Sequence, residues 1–252
     1  RFKRFLSIQQ GQLSDLMNHY SPDLIWFDGD WEHSAKEWNA SGIRNMLLDK
    51  APNVIINSRL QGYGDYATPE QGLPVEKPKE RYWELCLTMN NSWGYQPTDN
   101  NYKSADQLIA ILADCIGMGG NLLLDIGPKE DGTIVQEQVH ILKEMGRWVK
   151  KHQKAIFGSR SGLPAGRFNG PTTFSSDNKT LFLFVPNHAY GWLPLKGLNR
   201  KIAHVKLVGD GTNLQWVESG RAWWSETPGI YYIYLPEALR DSSMSVIAVH
   251  LK

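Results

Sequence analysis

Two kinds of hydrophobic pattern divide the chain. From residue 11 to about residue 157, stripes of apolar residues at helical spacing alternate with short runs that are apolar throughout. The short runs, which predict buried strands, lie at residues 24–28, 53–57, 83–88 and 121–126. Strands that are apolar on both faces and separated by helices are typical of a parallel sheet covered on each side, or of a β/α barrel.

One helix of this part has a clear beginning and end. Ser104 can cap its first turn with Gln107 as the partner, and an apolar face follows. The glycine-rich sequence at 117–120 predicts its end. The remaining apolar stripes predict helices around residues 13–20, 43–47 and 135–149.

After about residue 158 the pattern changes. Gly, Pro, Ser and Asn dominate residues 158–178, and the segments that follow alternate between apolar and polar residues. These segments, at 181–187, 204–209, 229–236 and 244–252, predict antiparallel strands. We therefore expect a β/α barrel portion at 1–157 and an antiparallel β-sandwich domain at 158–252.

Composition narrows the range of partners. The formal net charge is +1 and the basic residues are spread evenly, so long-range electrostatics favours neither nucleic acid nor a membrane. No apolar run is long enough to span a membrane. The ten Trp and ten Tyr suit sugar rings, whose faces are apolar and whose rims carry hydroxyls. A neutral carbohydrate is therefore the preferred substrate class.

The cysteines and histidines do not indicate a metal or redox centre. Cys86 is predicted in a strand and Cys115 in a helix, and buried free thiols are the expected state of both. The seven histidines show no metal-ligand spacing. We expect neither a metal nor an organic cofactor.

Charged residues lie at or near the ends of three predicted strands. Asp28 ends the first, Arg59 follows the second and Glu84 lies within the third. Catalytic groups of barrels project from the carboxyl ends of the strands. A retaining glycoside hydrolase uses one ionised carboxylate as nucleophile and one protonated carboxyl as acid, roughly 5 Å apart. Asp28 is the candidate nucleophile, and Trp26, two residues earlier on the same face, can flank a sugar.

The general acid has two candidates. Glu70 lies in a loop rich in Gly and Pro, where aromatic neighbours such as Tyr66 can raise the pKa of a carboxyl. Glu84 is flanked by apolar residues and can equally be the buried partner of a basic residue. We favour Glu70 and keep Glu84 as the alternative, with Asp65 as a weaker third candidate.

Two further residues can contact substrate. Arg59 can bind adjacent sugar hydroxyls or orient a carboxylate, although a structural salt bridge at a strand end is as good an interpretation. Trp93 can form the apolar wall of a sugar pocket, or it can be a core residue at a strand exit.

Five sequence motifs together resemble the α-L-fucosidase family of retaining glycoside hydrolases. They are DLIWFDGDW at 23–31, NSR at 57–59, RYWELC at 81–86, SWGY at 92–95 and GGNLLLDIGPKEDG at 119–132. The resemblance is strong over roughly residues 11–157, and beyond them it extends only to the β-sandwich that such enzymes commonly carry. It implies a (β/α)8-type barrel of which this chain carries the second half, the histidine-bearing first half of the family's barrel being absent before Arg1.

The resemblance also implies an activity and roles. The expected reaction is the exo-acting removal of terminal α-L-fucose from glycans by double displacement, without a cofactor. Asp28 would be the nucleophile, Glu70 the acid/base, Arg59 and Trp26 contacts to fucose, and Trp93 part of the pocket for its C5 methyl. A secreted, periplasmic or lysosomal location is implied, and an oligomer is left open.

Two alternatives to this activity remain from the sequence. One is a carbohydrate-binding remnant that keeps the aromatic pocket and has lost catalysis. The other is a retaining hydrolase for another sugar, such as galactose. An apolar wall near C5 favours fucose, because it would leave a hydroxymethyl group without hydrogen-bond partners.

Overall fold

The computed structural model describes residues 1–224 and 226–252 of the chain. Its α-helices are α1 (Phe2–Tyr20), α2 (Ala35–Trp38), α3 (Ala40–Lys50), α4 (Ala105–Gly117) and α5 (Gln136–Ile156). Its first strands are β1 (Leu24–Ile25), β2 (Ile55–Ile56), β3 (Glu84–Thr88) and β4 (Asn121–Asp125). The later strands are β5 (Arg160–Ser161), β6 (Thr172–Phe174), β7 (Thr180–Pro186), β8 (Gly191–Leu195), β9 (Ile202–Leu207), β10 (Trp216–Ser219), β11 (Ile230–Leu235) and β12 (Met244–Leu251).

By its contacts the chain divides into two compact units. The first unit contains residues 1–69 and 78–84, and the second contains residues 70–77 and 85–252. The domain division expected from sequence, at residues 157 and 158, follows the change of hydrophobic pattern, and it stays a prediction.

In the first unit, helices pack on a short parallel pair of strands. Leu24 pairs with Ile55 and Ile25 with Ile56. Ile25 and Ile56 point into a core formed with α1 and α3, whose buried members are Leu13, Met17, Ala40, Ile43, Leu47, Val54 and Leu60 as well. The sequence predicts strands buried on both faces, and this was wrong here: Leu24 is 41% and Ile55 45% exposed.

The two strands are also shorter than their apolar runs. The runs at 24–28 and 53–57 predict strands of five residues, but regular pairing covers two residues of each. On the first strand the chain turns after Asp28, where Gly29 adopts a φ of 80°, a left-handed conformation that favours glycine. The polar residues therefore lie just beyond the regular strands.

The second unit begins with an αβ portion. α4 has the predicted capping box: Ser104 Oγ accepts from the Gln107 amide at 3.2 Å, and the Gln107 side chain accepts from the Ser104 amide at 2.8 Å. β3 pairs with β4. α4 and α5 bury their apolar faces, which include Ile109 and Trp148, against Phe184 and Val246 of the sheet described next.

The later strands of the second unit form two antiparallel sheets. One has the strand order β5-β6-β7-β12-β9 and the other the order β10-β11-β8. A single apolar core contains residues of both sheets, such as Leu183, Val249 and Ile233. The expected change from an α/β region to antiparallel sheets is thus confirmed.

Two expectations about burial and membranes can be compared with the fold. No helix in the described part of the chain is long and apolar enough to cross a membrane. Cys86 and Cys115 are buried free thiols, as predicted. Burial, with a smaller effect of Asp114, raises the pKa of Cys115 to about 12.

Candidate functional site

Asn57 joins the two strand ends of the first unit. Its side-chain oxygen accepts from the Phe27 amide and its side-chain nitrogen donates to the Phe27 carbonyl, both at 2.8 Å. Asn57 is fully buried, so each of these bonds is made away from water. The amide side chain thus continues the pairing of the strands by one step and fixes the backbone next to Asp28 and Arg59.

Asp28 and Arg59 form an ion pair at this point. Arg59 Nη1 lies 2.7 Å from Asp28 Oδ1. The Arg59 side chain is only 13% exposed, whereas that of Asp28 is 61% exposed. The guanidinium is therefore held in place by the residues around it. It orients the carboxylate of Asp28, most of whose surface is open to solvent.

Trp26 connects this ion pair to Glu84. The guanidinium carbon of Arg59 lies 4.6 Å from the centroid of the Trp26 ring, a cation–π distance. The Trp26 indole donates to Glu84 Oε1 at 3.4 Å, and the Tyr66 hydroxyl donates to the same oxygen at 3.5 Å. Asp28, Arg59, Trp26 and Glu84 thus form one network, which we call the strand-end cluster.

The loop that follows Arg59 is held by Asp65. Its Oδ2 accepts from the Ile56 amide at 2.9 Å and its Oδ1 accepts from Arg44 at 2.7 Å. Burial acts to raise the pKa of Asp65, but the hydrogen bonds from Arg44 and Ile56 outweigh it and hold the pKa below its ordinary value. Asp65, the weaker candidate acid, therefore has a structural role: it holds this loop against β2 and Arg44.

Asp30 and Thr68 support the cluster in the same way. The Gln61 amide donates to Asp30 Oδ2 at 2.7 Å, and Thr68 Oγ1 accepts from Arg59 Nε at 3.3 Å. Sequence reasoning did not single out these residues or the link made by Asn57. The sequence feature that could have indicated these residues is their position in or near the motifs at 23–31 and 57–59. No pattern in the sequence shows which atoms they bind.

Two predicted site residues lie in the second unit. Glu70 is exposed, and its backbone forms an isolated parallel bridge with Cys86. Trp93 is also exposed, and the preceding Ser92 donates to Asp99 Oδ2 at 2.7 Å. The strand-end cluster joins four predicted site residues, Asp28, Arg59, Trp26 and Glu84, which all lie in the first unit.

Asp125 differs from the other carboxylates of the second unit. It ends β4, and its Oδ2 is buried without a hydrogen-bond partner among the described residues. Burial raises its pKa. Among the described residues, no group of three His, Cys, Asp or Glu side chains is arranged to hold a metal ion.

The position of the ion pair agrees with one class of enzyme. Asp28 and Arg59 lie just beyond the carboxyl ends of the parallel strands β1 and β2, where the catalytic groups of β/α-barrel enzymes such as glycoside hydrolases lie, whereas Glu84 is the first residue of β3. The family model described as alpha-L-fucosidase matches residues 1–154. The chain belongs to the α-L-fucosidase family, and the resemblance found in its motifs is confirmed.

Relatives with curated names agree with this assignment. The chain is 34% identical to an alpha-L-fucosidase of Branchiostoma floridae over 160 residues, which are 59% of this chain and 36% of the relative. It is 30% identical to the tissue alpha-L-fucosidase of Mus musculus over 224 residues, 82% of this chain and 49% of the relative. The chain thus spans half or less of the length of these relatives.

Solved structures match the whole chain. Alpha-L-fucosidase isoenzyme 1 from Paenibacillus thiaminolyticus is 29% identical with a TM-score of 0.89, and the match covers 100% of this chain and 63% of that one. An alpha-L-fucosidase from Bacteroides thetaiotaomicron is 25% identical with a TM-score of 0.87, covering 100% and 61%.

Proposed function

We propose that this chain carries catalytic residues of an exo-acting, retaining α-L-fucosidase, which removes terminal α-L-fucose from glycans by double displacement. The proposal rests on the family membership and on the strand-end cluster. The single observation that carries it is the 2.7 Å contact of Asp28 with Arg59, because it fixes a solvent-accessible carboxylate at the end of a parallel strand.

Asp28 is the proposed nucleophile. Its ionised carboxylate attacks the anomeric carbon of fucose while the acid protonates the departing glycosidic oxygen, and water then cleaves the fucosyl-enzyme ester. Arg59 orients the attacking oxygen from its largely buried position. An alpha-L-fucosidase from Bacteroides thetaiotaomicron has been trapped as a covalent intermediate with 2-fluoro-fucosyl fluoride, which supports a double displacement in this chain as well.

Glu70 is the proposed acid/base, and Glu84 is the alternative. Oε1 of Glu84 accepts hydrogen bonds from both Trp26 and Tyr66, so Glu84 has a structural role in positioning these two side chains. Proton transfer to a leaving group needs a carboxyl that can approach the substrate. Glu70 lies exposed in a loop, where a leaving group can reach its carboxyl, and this favours Glu70 over Glu84.

Arg59 and Trp26 are proposed to contact the hydroxyls and the apolar face of fucose. Trp93 is proposed to contact the C5 methyl. An apolar wall there would disfavour galactose, because its hydroxymethyl group would lose hydrogen bonds to water without replacement. The substrate is therefore a fucosylated glycan or oligosaccharide.

The larger architecture is part of the proposal. We infer that β1 to β4 and their helices belong to a (β/α)8-type barrel, followed by the β-sandwich domain at 158–252. The exposed apolar side chains of Leu24 and Ile55 support this, since alternate residues of barrel strands face an interior filled by side chains. A secreted, periplasmic or lysosomal location is proposed, and one matched human relative is named a plasma alpha-L-fucosidase.

The nucleophile is tested with Asp28→Asn and an aryl α-L-fucoside. The variant keeps the size of the side chain but loses the nucleophile, so kcat should fall by at least about 10³-fold. Asp23→Asn, which changes an exposed carboxylate five residues earlier, is the matched control and should keep its rate. Near-normal turnover by Asp28→Asn would remove Asp28 from this role, and fucose binding without turnover by the wild type would contradict the hydrolase proposal.

The acid/base is tested by chemical rescue. Glu70→Ala should lower kcat by about 10²–10⁴-fold on a substrate with a poor leaving group. With an activated aryl fucoside, azide should restore turnover, because azide attacks the fucosyl-enzyme without a general base. Rescue of Glu84→Ala in place of Glu70→Ala would assign the role to Glu84.

A further inference from the structure

One face of the five-stranded sheet is only partly covered by helices. On β12 the residues Val246, Ala248 and His250 share this face, because alternate residues of a strand point the same way. Helices α4 and α5 cover the end that carries Val246. At the other end His250 pairs with Thr180 of β7 and with His204 of β9.

A cavity lies at this less covered end. Its volume is about 480 Å³, and it is bounded by the sheet, by the last turns of α5 and by the loop that follows β9. The charged or hydrogen-bonding side chains that line it include Lys151, Lys154, Thr180, Lys206, Asp210 and His250.

The positive charges of this cavity exceed the negative ones. Lys151 is ion-paired with Asp241 at 2.7 Å. Lys154 and Lys206, in contrast, have no carboxylate within ion-pair distance in the part of the chain that the structure describes. Asp210 is the single carboxylate among the described lining residues. Like charges around a concave surface repel one another unless an anion is bound between them.

Two stacked histidines lie beside these lysines. The rings of His204 and His250 stack with centroids 4.2 Å apart and planes inclined by 25°. His250 Nδ1 is hydrogen-bonded with Thr180 Oγ1 at 3.2 Å, and its Nε2 has no partner among the described residues. Burial, together with the charges of His204 and Lys206, lowers the pKa of His250. A bound anion would relieve this repulsion and favour protonation.

We propose that this cavity is a binding site for an oxyanion, a sulfate or phosphate group held between Lys154, Lys206 and His250. The group is either a free ion or the ester of a saccharide. Ammonium and imidazole N–H groups are suitable donors for such oxygens, and charge-assisted hydrogen bonds are the stronger class. The proposal does not depend on fucosidase activity, since every residue in it lies in the second unit.

The test follows the seven histidines by NMR in protein labelled with ¹³C at histidine Cε1. Sodium sulfate, sodium phosphate and a monosaccharide 6-sulfate are titrated separately at pH 6, with sodium chloride keeping the ionic strength constant. Saturable shifts confined to His204 and His250 are expected. Tighter binding of the sugar sulfate than of sulfate would identify an ester as the ligand, and equal or weaker binding would identify the free ion.

Matched lysine variants decide whether the cavity is responsible. Lys154→Gln and Lys206→Gln should each weaken binding roughly tenfold, the loss of one charge-assisted hydrogen bond. Lys143→Gln removes an exposed lysine from the same helix as Lys154 and should leave the affinity unchanged. Shifts that do not saturate, that appear equally with chloride, or that persist in both cavity variants would overturn the proposal.

Discussion

The strand-end cluster and the β7–β12 pair are both built on strands, but they are held together differently. β1 and β2 are paired at only two residues each. Beyond these pairs, side chains form the hydrogen bonds: Asn57 binds the Phe27 backbone, and Asp65 accepts from the Ile56 amide. β7 and β12 share seven pairs, from Met244–Pro186 to His250–Thr180. There the backbone itself supplies the hydrogen bonds.

This difference explains how much each region constrains its sequence. A side chain that both donates to and accepts from a neighbouring backbone, as Asn57 does, can be replaced by very few others. The β7–β12 pair is buried on both faces, so it requires only apolar side chains of suitable size at nearly every position. The first kind of region produces a motif of specific residues, and the second produces only an apolar run.

The largest expected effect is in the β7–β12 pair. Leu183 is fully buried in the core shared by the two sheets, so Leu183→Ala should lower the free energy of unfolding by about 2–5 kcal/mol through lost burial and a cavity. Leu24→Ala, at an exposed position of β1, is the matched control and should cost about 0.5 kcal/mol. Urea unfolding measures both, and equal losses would contradict the contrast between the two regions.

Acid should weaken the second unit through His152. Burial lowers the pKa of this α5 histidine to about 4, although the nearby Asp241 acts to raise it. The unfolded chain takes up a proton near pH 6.5, whereas the folded protein does so only near pH 4. Stability should therefore fall by up to about 3 kcal/mol as the pH drops from about 6.5 to 4.

Two histidine variants check this assignment. His152→Gln should remove most of the pH dependence of the free energy of unfolding in that window. His140→Gln changes an exposed histidine of the same helix and should leave the dependence as it is. An unchanged slope in His152→Gln would show that the dependence comes from other groups.

A change at Asn57 should cost less stability than Leu183→Ala, but it should also lower activity. Asn57→Leu leaves the amide and carbonyl of Phe27 without partners and should cost about 2 kcal/mol. Because Asp28 follows Phe27, kcat for an aryl fucoside should also fall, by about 10²-fold. Thr173→Val removes a buried hydrogen bond from Thr173 to the Ala155 carbonyl and should cost about 1 kcal/mol at unchanged kcat. Equal effects on kcat in the two variants would refute a positioning role for Asn57.

Local signals in the sequence predicted local structure well. The cap made by Ser104 and Gln107 acts within one helical turn, and it was confirmed. The apolar stripe at 13–20 indicated α1 but not its beginning at Phe2. That first turn is held by tertiary contacts, since the Phe2 ring packs against His33 and Trp38 at centroid distances of 3.9 and 5.3 Å.

The cluster was predicted only in part, because its links are distant along the chain. Charged residues near strand ends indicated Asp28 and Arg59, which are 31 residues apart. The bond from Trp26 to Glu84 joins residues 58 apart, and nothing in the intervening sequence specifies it. Propensity and periodicity depend on residues that are close in sequence. They therefore cannot predict which atoms of distant residues come into contact in the folded protein.

The buried thiol of Cys115 has a practical consequence for labelling. With a pKa of about 12, this side chain carries almost no thiolate at neutral pH, and thiolate is the species that maleimides and iodoacetamides alkylate. Cys86 is likewise enclosed in the fold. A cysteine introduced at a surface position should therefore accept a fluorophore selectively, without prior removal of the two native ones.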